Sequence, residues 1–166
     1  MGNCGSKRFF DPTLKGSRAV AQAFTGVHNI NMDAKGRLAF PARQRERLGP
    51  DSSSTLVATV NVSSPCLFIY PQSAWEQVLE KVQALPTMRP GVQNFQRLFV
   101  GYATEMEFDG NGRLLLPSSL REYAGLDKKL VLVGQINKFE LWDETRWQDV
   151  RQQPVEIPEE LQSIAL

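Results

Sequence analysis

The chain of 166 residues has a single histidine, His28, and only two cysteines, Cys4 and Cys66. One imidazole leaves little material for a Ser-His-Asp triad, and no Gly-x-Ser-x-Gly elbow accompanies it. Two thiols are too few for a disulfide framework or a thiolate zinc site, so a reducing cytosol is the simplest home and no metal or cofactor is expected. P-loop, Gly-x-Gly-x-x-Gly and His-Glu-x-x-His signatures are also missing, which removes the common phosphate-binding and zinc-hydrolase chemistries. A Cys66–His28 nucleophile pair is conceivable, but Cys66 borders an apolar strand, where small thiols are usually buried and inert. The chain therefore reads as a non-enzyme. No apolar run approaches the roughly 18 residues of a membrane span, and the start of the chain lacks the apolar segment of a signal peptide. Met1-Gly2-Asn3-Cys4-Gly5-Ser6 fits a myristoylation pattern, yet that pattern is short and recurs by chance. Residues 1–23 read instead as a flexible, polar N-terminal extension.

Excess charge is lacking too: the net charge is +1. Its distribution is uneven, with nine basic and four acidic residues over 1–54 but seven basic and eleven acidic over 107–166. The front of the chain is basic and the back acidic.

What the chain does have is an internal repeat. Asp33-Ala34-Lys35-Gly36-Arg37-Leu38-Ala39-Phe40-Pro41 returns 76 residues later as Asp109-Gly110-Asn111-Gly112-Arg113-Leu114-Leu115-Leu116-Pro117. Arg45-Glu46 answers Arg121-Glu122 at the same spacing. At a spacing of 72, Leu67-Phe68-Ile69-Tyr70 answers Phe139-Glu140-Leu141-Trp142 and Trp75 answers Trp147. The difference predicts one loop four residues shorter in the second copy. The expected organisation is an extension (1–23), a first repeat (24–85), a helical connector (86–99), a second repeat (100–152) and an acidic tail (153–166).

Each copy parses alike. An alternating stretch, Val27 to Met32 or Val100 to Phe108, reads as a half-buried strand. Asp33-Ala34-Lys35-Gly36 and Asp109-Gly110-Asn111-Gly112 then form tight hairpin turns, with Gly36 and Gly112 free to adopt positive φ. A second strand (38–40, 114–116) stops at Pro41 or Pro117, which suit a helix start. Short helices over 42–48 and 118–124 end at Gly49 and Gly125, candidates for left-handed caps. Strand pairs 55–60 with 67–70, and 130–133 with 139–141, follow as hairpins. A closing helix carries Trp75 or Trp147, capped by Ser73 in the first copy and by Asp143 in the second. Phe95 and Phe99 mark a connector helix. The aromatics Phe68, Tyr70, Trp75, Trp142 and Trp147 could stack single-stranded bases, but their matched positions fit burial better.

The Asp-x-x-x-Arg turns carry the functional signal. An acid four residues before an arginine can tie its own turn together, accepting turn N–H groups or pairing with the guanidinium. Beyond that structural role, two rigid hairpins each present an arginine, whose planar fork bonds phosphate or the O6/N7 edge of guanine at two points. The first copy adds Lys35, Arg43, Arg45 and Arg47. The second has Arg113 and Arg121, with Asn111 in place of Lys35. Copy one should carry more of any attraction for DNA.

These paired turns, their Gly-Arg-Leu-x-x-Pro continuation, and the stretches Val131 to Trp142 and Arg97 to Gly101 resemble the MraZ family of the SpoVT-AbrB superfamily over about 24–147. The resemblance implies a mainly β fold with short helices (α+β). Two tandem AbrB-like half-barrels would form a double-split β-barrel, assembled into a ring-shaped homo-oligomer. It also implies a cytoplasmic, nucleoid-associated repressor that binds double-stranded DNA at repeated promoter sites of its own division and cell wall gene cluster. The motif residues carried over are Asp33 and Arg37, then Asp109 and Arg113. Chains of this family normally start only a few residues before Phe24, so residues 1–22 look like an extension or a misassigned start; Lys7, Arg8, Lys15 and Arg18 could form a basic arm. The rival expectation is an antitoxin-like protein-binding module that uses the acidic 143–160 region.

Overall fold

The strands pair across the repeats more than within them. The computed structural model describes residues 23–49, 55–162 and 164. The lipidation pattern, Cys4 and the basic arm lie outside the described residues. Along the chain the strands are β1 (Val27–Asn31), β2 (Arg37–Ala39), β3 (Thr55–Val60), β4 (Leu67–Pro71), β5 (Thr104–Glu107), β6 (Arg113–Leu115), β7 (Lys129–Gln135) and β8 (Lys138–Asp143). The helices are α1 (Ala42–Arg47), α2 (Gln72–Gln83), α3 (Pro90–Phe99), α4 (Ser118–Ala124), α5 (Glu144–Gln152) and α6 (Glu159–Gln162). The fold is thus mixed α and β, mainly strands with short helices. Among the described residues no helix is long and apolar enough to cross a membrane.

The expected hairpins β3–β4 and β7–β8 form and meet through β4 and β8 in a six-stranded sheet of order β1-β7-β8-β4-β3-β5. Its outer strands are exchanged, since β1 of the first repeat lies on β7 of the second and β5 of the second lies on β3 of the first. The remaining strands, β2 and β6, pair with each other as a separate two-stranded ribbon. Replacing every strand by its repeat equivalent turns the sheet order into its own reverse. The chain therefore has an internal two-fold axis, which passes through the Leu38↔Leu114 pair of the ribbon and the Phe68↔Glu140 pair of the sheet.

This pairing corrects the reading of the repeat spacing. Asn29 and Glu105 are equivalent, and their partners are Val131 and Val57, which stand 74 residues apart. The four-residue difference is therefore split in two: two residues are lost before β7 and two more in the β7–β8 turn. The turns at Asp33 and Asp109 form as expected, but the strands beyond them separate. Among the described residues the ladder across the first turn does not go beyond the Met32↔Leu38 bridge and the bond from Asp33 N to the Arg37 carbonyl at 2.9 Å. A short strand with an apolar inner face buries it wherever a matching edge is available, and here that edge belongs to the other repeat.

β3 and β7 are buried on both faces, which explains their near-continuous apolar sequence. One face joins the main core with Leu38, Leu114, Leu116, Leu120, Phe139 and Leu141. The other is covered by helices. Val57 meets Tyr70, Trp75 and Phe99 under α2 and α3, and Val131 meets Cys66, Trp142 and Trp147 under α5. The matched aromatics are thus mostly core, with Phe68 and Trp147 half-buried.

Two local expectations change. Ser73 does not cap α2, because β4 runs to Pro71 and the helix starts directly after it with no side-chain cap. Asp143 does cap α5, accepting from Thr145 N at 3.0 Å. The stretch from Val100 to Phe108 is a strand only over Thr104–Glu107. Phe95 and Phe99 stack at 4.9 Å and Phe99 packs on Trp75 at 5.4 Å, which carries α3 through Phe99. The Thr59 hydroxyl then donates to the Phe99 carbonyl and pins the helix end to β3.

Candidate nucleic-acid interface

The two Asp-x-x-x-Arg turns are built alike. Asp33 Oδ1 accepts from the backbone N–H of Lys35 (3.0 Å) and Arg37 (2.9 Å), while Oδ2 accepts from Arg37 Nε at 2.7 Å. Asp109 Oδ1 accepts from Asn111 N (2.8 Å) and Arg113 N (2.9 Å), and Oδ2 from Arg113 Nε at 2.9 Å. Gly36 and Gly112 adopt φ +87° and +71°, and their N–H groups bond back to the aspartate carbonyls at 3.0 Å. Backbone N–H bonds, led by those of Arg37 and Arg113, hold both carboxyls below their ordinary value of 3.8. This hydrogen bonding closes each turn on its own aspartate.

It does not consume the arginines. Each is bonded to its aspartate through Nε, and each fork carries further N–H donors on its two terminal nitrogens. In the ribbon Arg37 stands opposite Leu115 and Arg113 opposite Ala39, while Leu38 and Leu114 between them are fully buried. Alternation then puts Arg37, Ala39, Arg113 and Leu115 on one outer face. The arginines are diagonal neighbours there, roughly 7–8 Å apart at their bases. Leu115 is 59% exposed, an unusual setting for a large apolar residue.

Lys35 is exposed in the first turn, beside Arg37. Arg43 is exposed on α1, on the helix face opposite Arg45. The residues that do reach the turns are Arg45 and Arg121, and each reaches the turn of the other repeat. A Cβ on Gly112 would collide with Arg45 Nη1, and one on Gly36 would meet the Arg121 guanidinium carbon at 3.0 Å. Arg45 also lies over the Phe108 ring at 5.9 Å. The sequence marked both arginines as a repeated pair, but only the strand exchange explains which turn each one serves.

The copies differ in charge around this common frame. On the strands that lead into the turns, exposed Asn29 and Asn31 of the first repeat are replaced by exposed Glu105 and Glu107 of the second. With Lys35 replaced by Asn111, the first turn is the more positive. The other candidate chemistry is scattered: His28 Nε2 lies 2.9 Å from Gln44 Nε2, whereas Cys66 accepts from Asn61 and is fully buried.

A family model described as "MraZ protein, putative antitoxin-like" matches residues 23–98 and again 99–162. Among similar curated proteins, the transcriptional regulator MraZ of Halorhodospira halophila is 48% identical over 151 residues, covering 86% of this chain and 99% of its own length. Its namesake in Pseudomonas putida is 46% identical over 150 residues, with the same two coverages of 86% and 99%. That of Shewanella piezotolerans is 52% identical over 125 residues, 75% of this chain and 82% of its own.

Proposed function

The chain belongs to the MraZ family, and on that premise we propose that it is a sequence-specific DNA-binding transcriptional regulator whose β2–β6 ribbon enters the major groove. The observation that carries the proposal is the outer face of the ribbon, with Arg37 and Arg113 clamped by Asp33 and Asp109. A two-stranded ribbon fits the major groove, where a fork of N–H donors reads guanine and an apolar side chain reads the thymine methyl. Ala39 and Leu115 fill that second role. The aspartate clamps fix the arginines before binding, so little side-chain freedom is lost on contact. Lys35, Arg121 and Arg45 supply phosphate contacts at the turns, and exposed Arg43 adds general attraction.

One ribbon touches few phosphates, so a single protomer binds weakly at physiological salt. Assembly into a ring of several copies answers this by presenting ribbons to successive repeated sites, raising net affinity about 10²- to 10⁴-fold where the geometry allows joint contact. The target is the promoter of its own division and cell wall gene cluster, and occupancy there represses transcription. The double-split barrel would be the unit of the ring: its internal two-fold axis sets both Asp-x-x-x-Arg turns about one ribbon.

Fluorescence anisotropy on a labelled fragment from upstream of the gene, against a scrambled fragment at two salt concentrations, tests the reading. Selective binding that weakens with salt and vanishes in the Arg37→Ala, Arg113→Ala double variant is expected. Equal affinity for the two fragments would turn attention to the antitoxin-like alternative, with pull-down at high salt as its test.

A further inference from the structure

We propose that the groove between α2 and α3 receives the C-terminal tail of a second copy of this chain. The inference rests on the self-association proposed above and names the contact that makes it. The groove is open, about 680 Å³, and lined by Leu79, Val82, Gln93, Gln96, Arg97 and Val100. Val100 on its wall is 37% exposed. Among the described residues it stands open. Arg97 on its wall makes no ion pair among the described residues.

The tail has the complementary features. Beyond α5 it carries Glu156, Glu159 and Glu160 and no basic residue, so its charge opposes that of Arg97. Val155 is 81% exposed and Ile157 is 62% exposed, on either side of Glu156. Two apolar side chains held in water around a carboxylate match a groove with apolar walls and one guanidinium. Val155 and Ile157 do not occupy the groove of their own chain, since both stand in solvent. Residues 153–166 extend to at most about 45 Å, enough to cross to a neighbour. The internal symmetry adds a reason. In the first repeat α2 is followed by α3, which packs its Phe95 and Phe99 beside Trp75, whereas in the second repeat α5 is followed only by the tail. Among the described residues the helix that follows α5 is the four-residue α6. Tail into groove is a head-to-tail contact between different surfaces, and such contacts close into rings when the rotation allows.

Sedimentation velocity of the full chain provides the test. Val155 and Ile157 are exposed, so Val155→Asp, Ile157→Asp should fold normally, which circular dichroism checks. The concentration for half-assembly is expected to rise at least tenfold in this variant and in Arg97→Glu, and Arg97→Glu combined with Glu156→Arg should recover most of the loss. On a Cys4→Ser background, mixing chains carrying Gln93→Cys with chains carrying Val155→Cys should give a disulfide between copies. Unchanged assembly in the Asp variant, or a crosslink only within a chain that carries both cysteines, would overturn the docking and leave the ring reading standing. A wild-type chain that stays monomeric at concentrations that occupy its operator would overturn the ring reading itself, and the docking with it.

Discussion

The guanidinium of Arg45 lies against the backbone of Gly112, in the turn of the other repeat, so closely that a Cβ there would collide with Arg45 Nη1. Gly112 is thus fixed twice, by its φ of +71° and by its neighbour. Gly112→Ala is expected to cost about 1–3 kcal/mol in stability, from left-handed strain and displacement of Arg45. Adding Arg45→Ala should return part of that loss, because it removes the crowding and leaves the strain. Urea melts of the four proteins in the cycle give the coupling directly, and strict additivity would refute the contact.

The charge difference between the turns predicts unequal arginines. Arg37→Ala should weaken operator binding by about 1–3 kcal/mol and abolish selectivity, with Arg113→Ala less severe because Glu105 and Glu107 already oppose DNA there. Gel-shift titrations at one salt concentration measure both, and equal losses would discard the asymmetry. Glu105→Gln, Glu107→Gln should strengthen binding and steepen its salt dependence.

Acid should release both turns together. A carboxylate whose folded pKa lies below its unfolded value stabilises the fold fully above the unfolded value of 3.8, and that contribution fades as pH falls through the folded one. The amide signals of Lys35, Arg37, Asn111 and Arg113 should hold steady from neutral pH down to about pH 4 and shift below it. A nuclear magnetic resonance titration with midpoints above 3.8 would contradict the clamp.

Cys66 should be inert while the protein is folded. It is fully buried, and desolvation pushes its thiol up to about 12. A Cys4→Ser variant is expected to resist a thiol reagent at about pH 8 and to react once per chain after unfolding.

Ile136 sits at φ +64° while 70% exposed, in a turn where Asn137 N bonds Gln135 O at 2.7 Å. A β-branched residue is strained there. Ile136→Gly should raise stability by about 1 kcal/mol, read as an increase in the urea midpoint at constant slope.

Much that depends on neighbours within a few residues was legible in the sequence, although the Ser73 cap does not form. Asp33 and Arg37 meet because four residues of turn bring them together, Gly36 and Gly112 take positive φ because only glycine does so without strain, and Gly49, Gly125 and Asp143 end or start helices by local hydrogen bonding. The repeat, the two hairpins and the buried aromatics followed from spacing and pattern. The tertiary structure alone decided the partners of β1, β2, β5 and β6. A strand of three to five residues offers unpaired N–H and C=O groups to any edge of matching polarity, and two similar repeats offer two such edges. Burial of Leu38 against Leu114 selects the exchanged arrangement here, and with it the ribbon, the shared face of Arg37 and Arg113, and the crossing of Arg45 and Arg121 to the opposite turns.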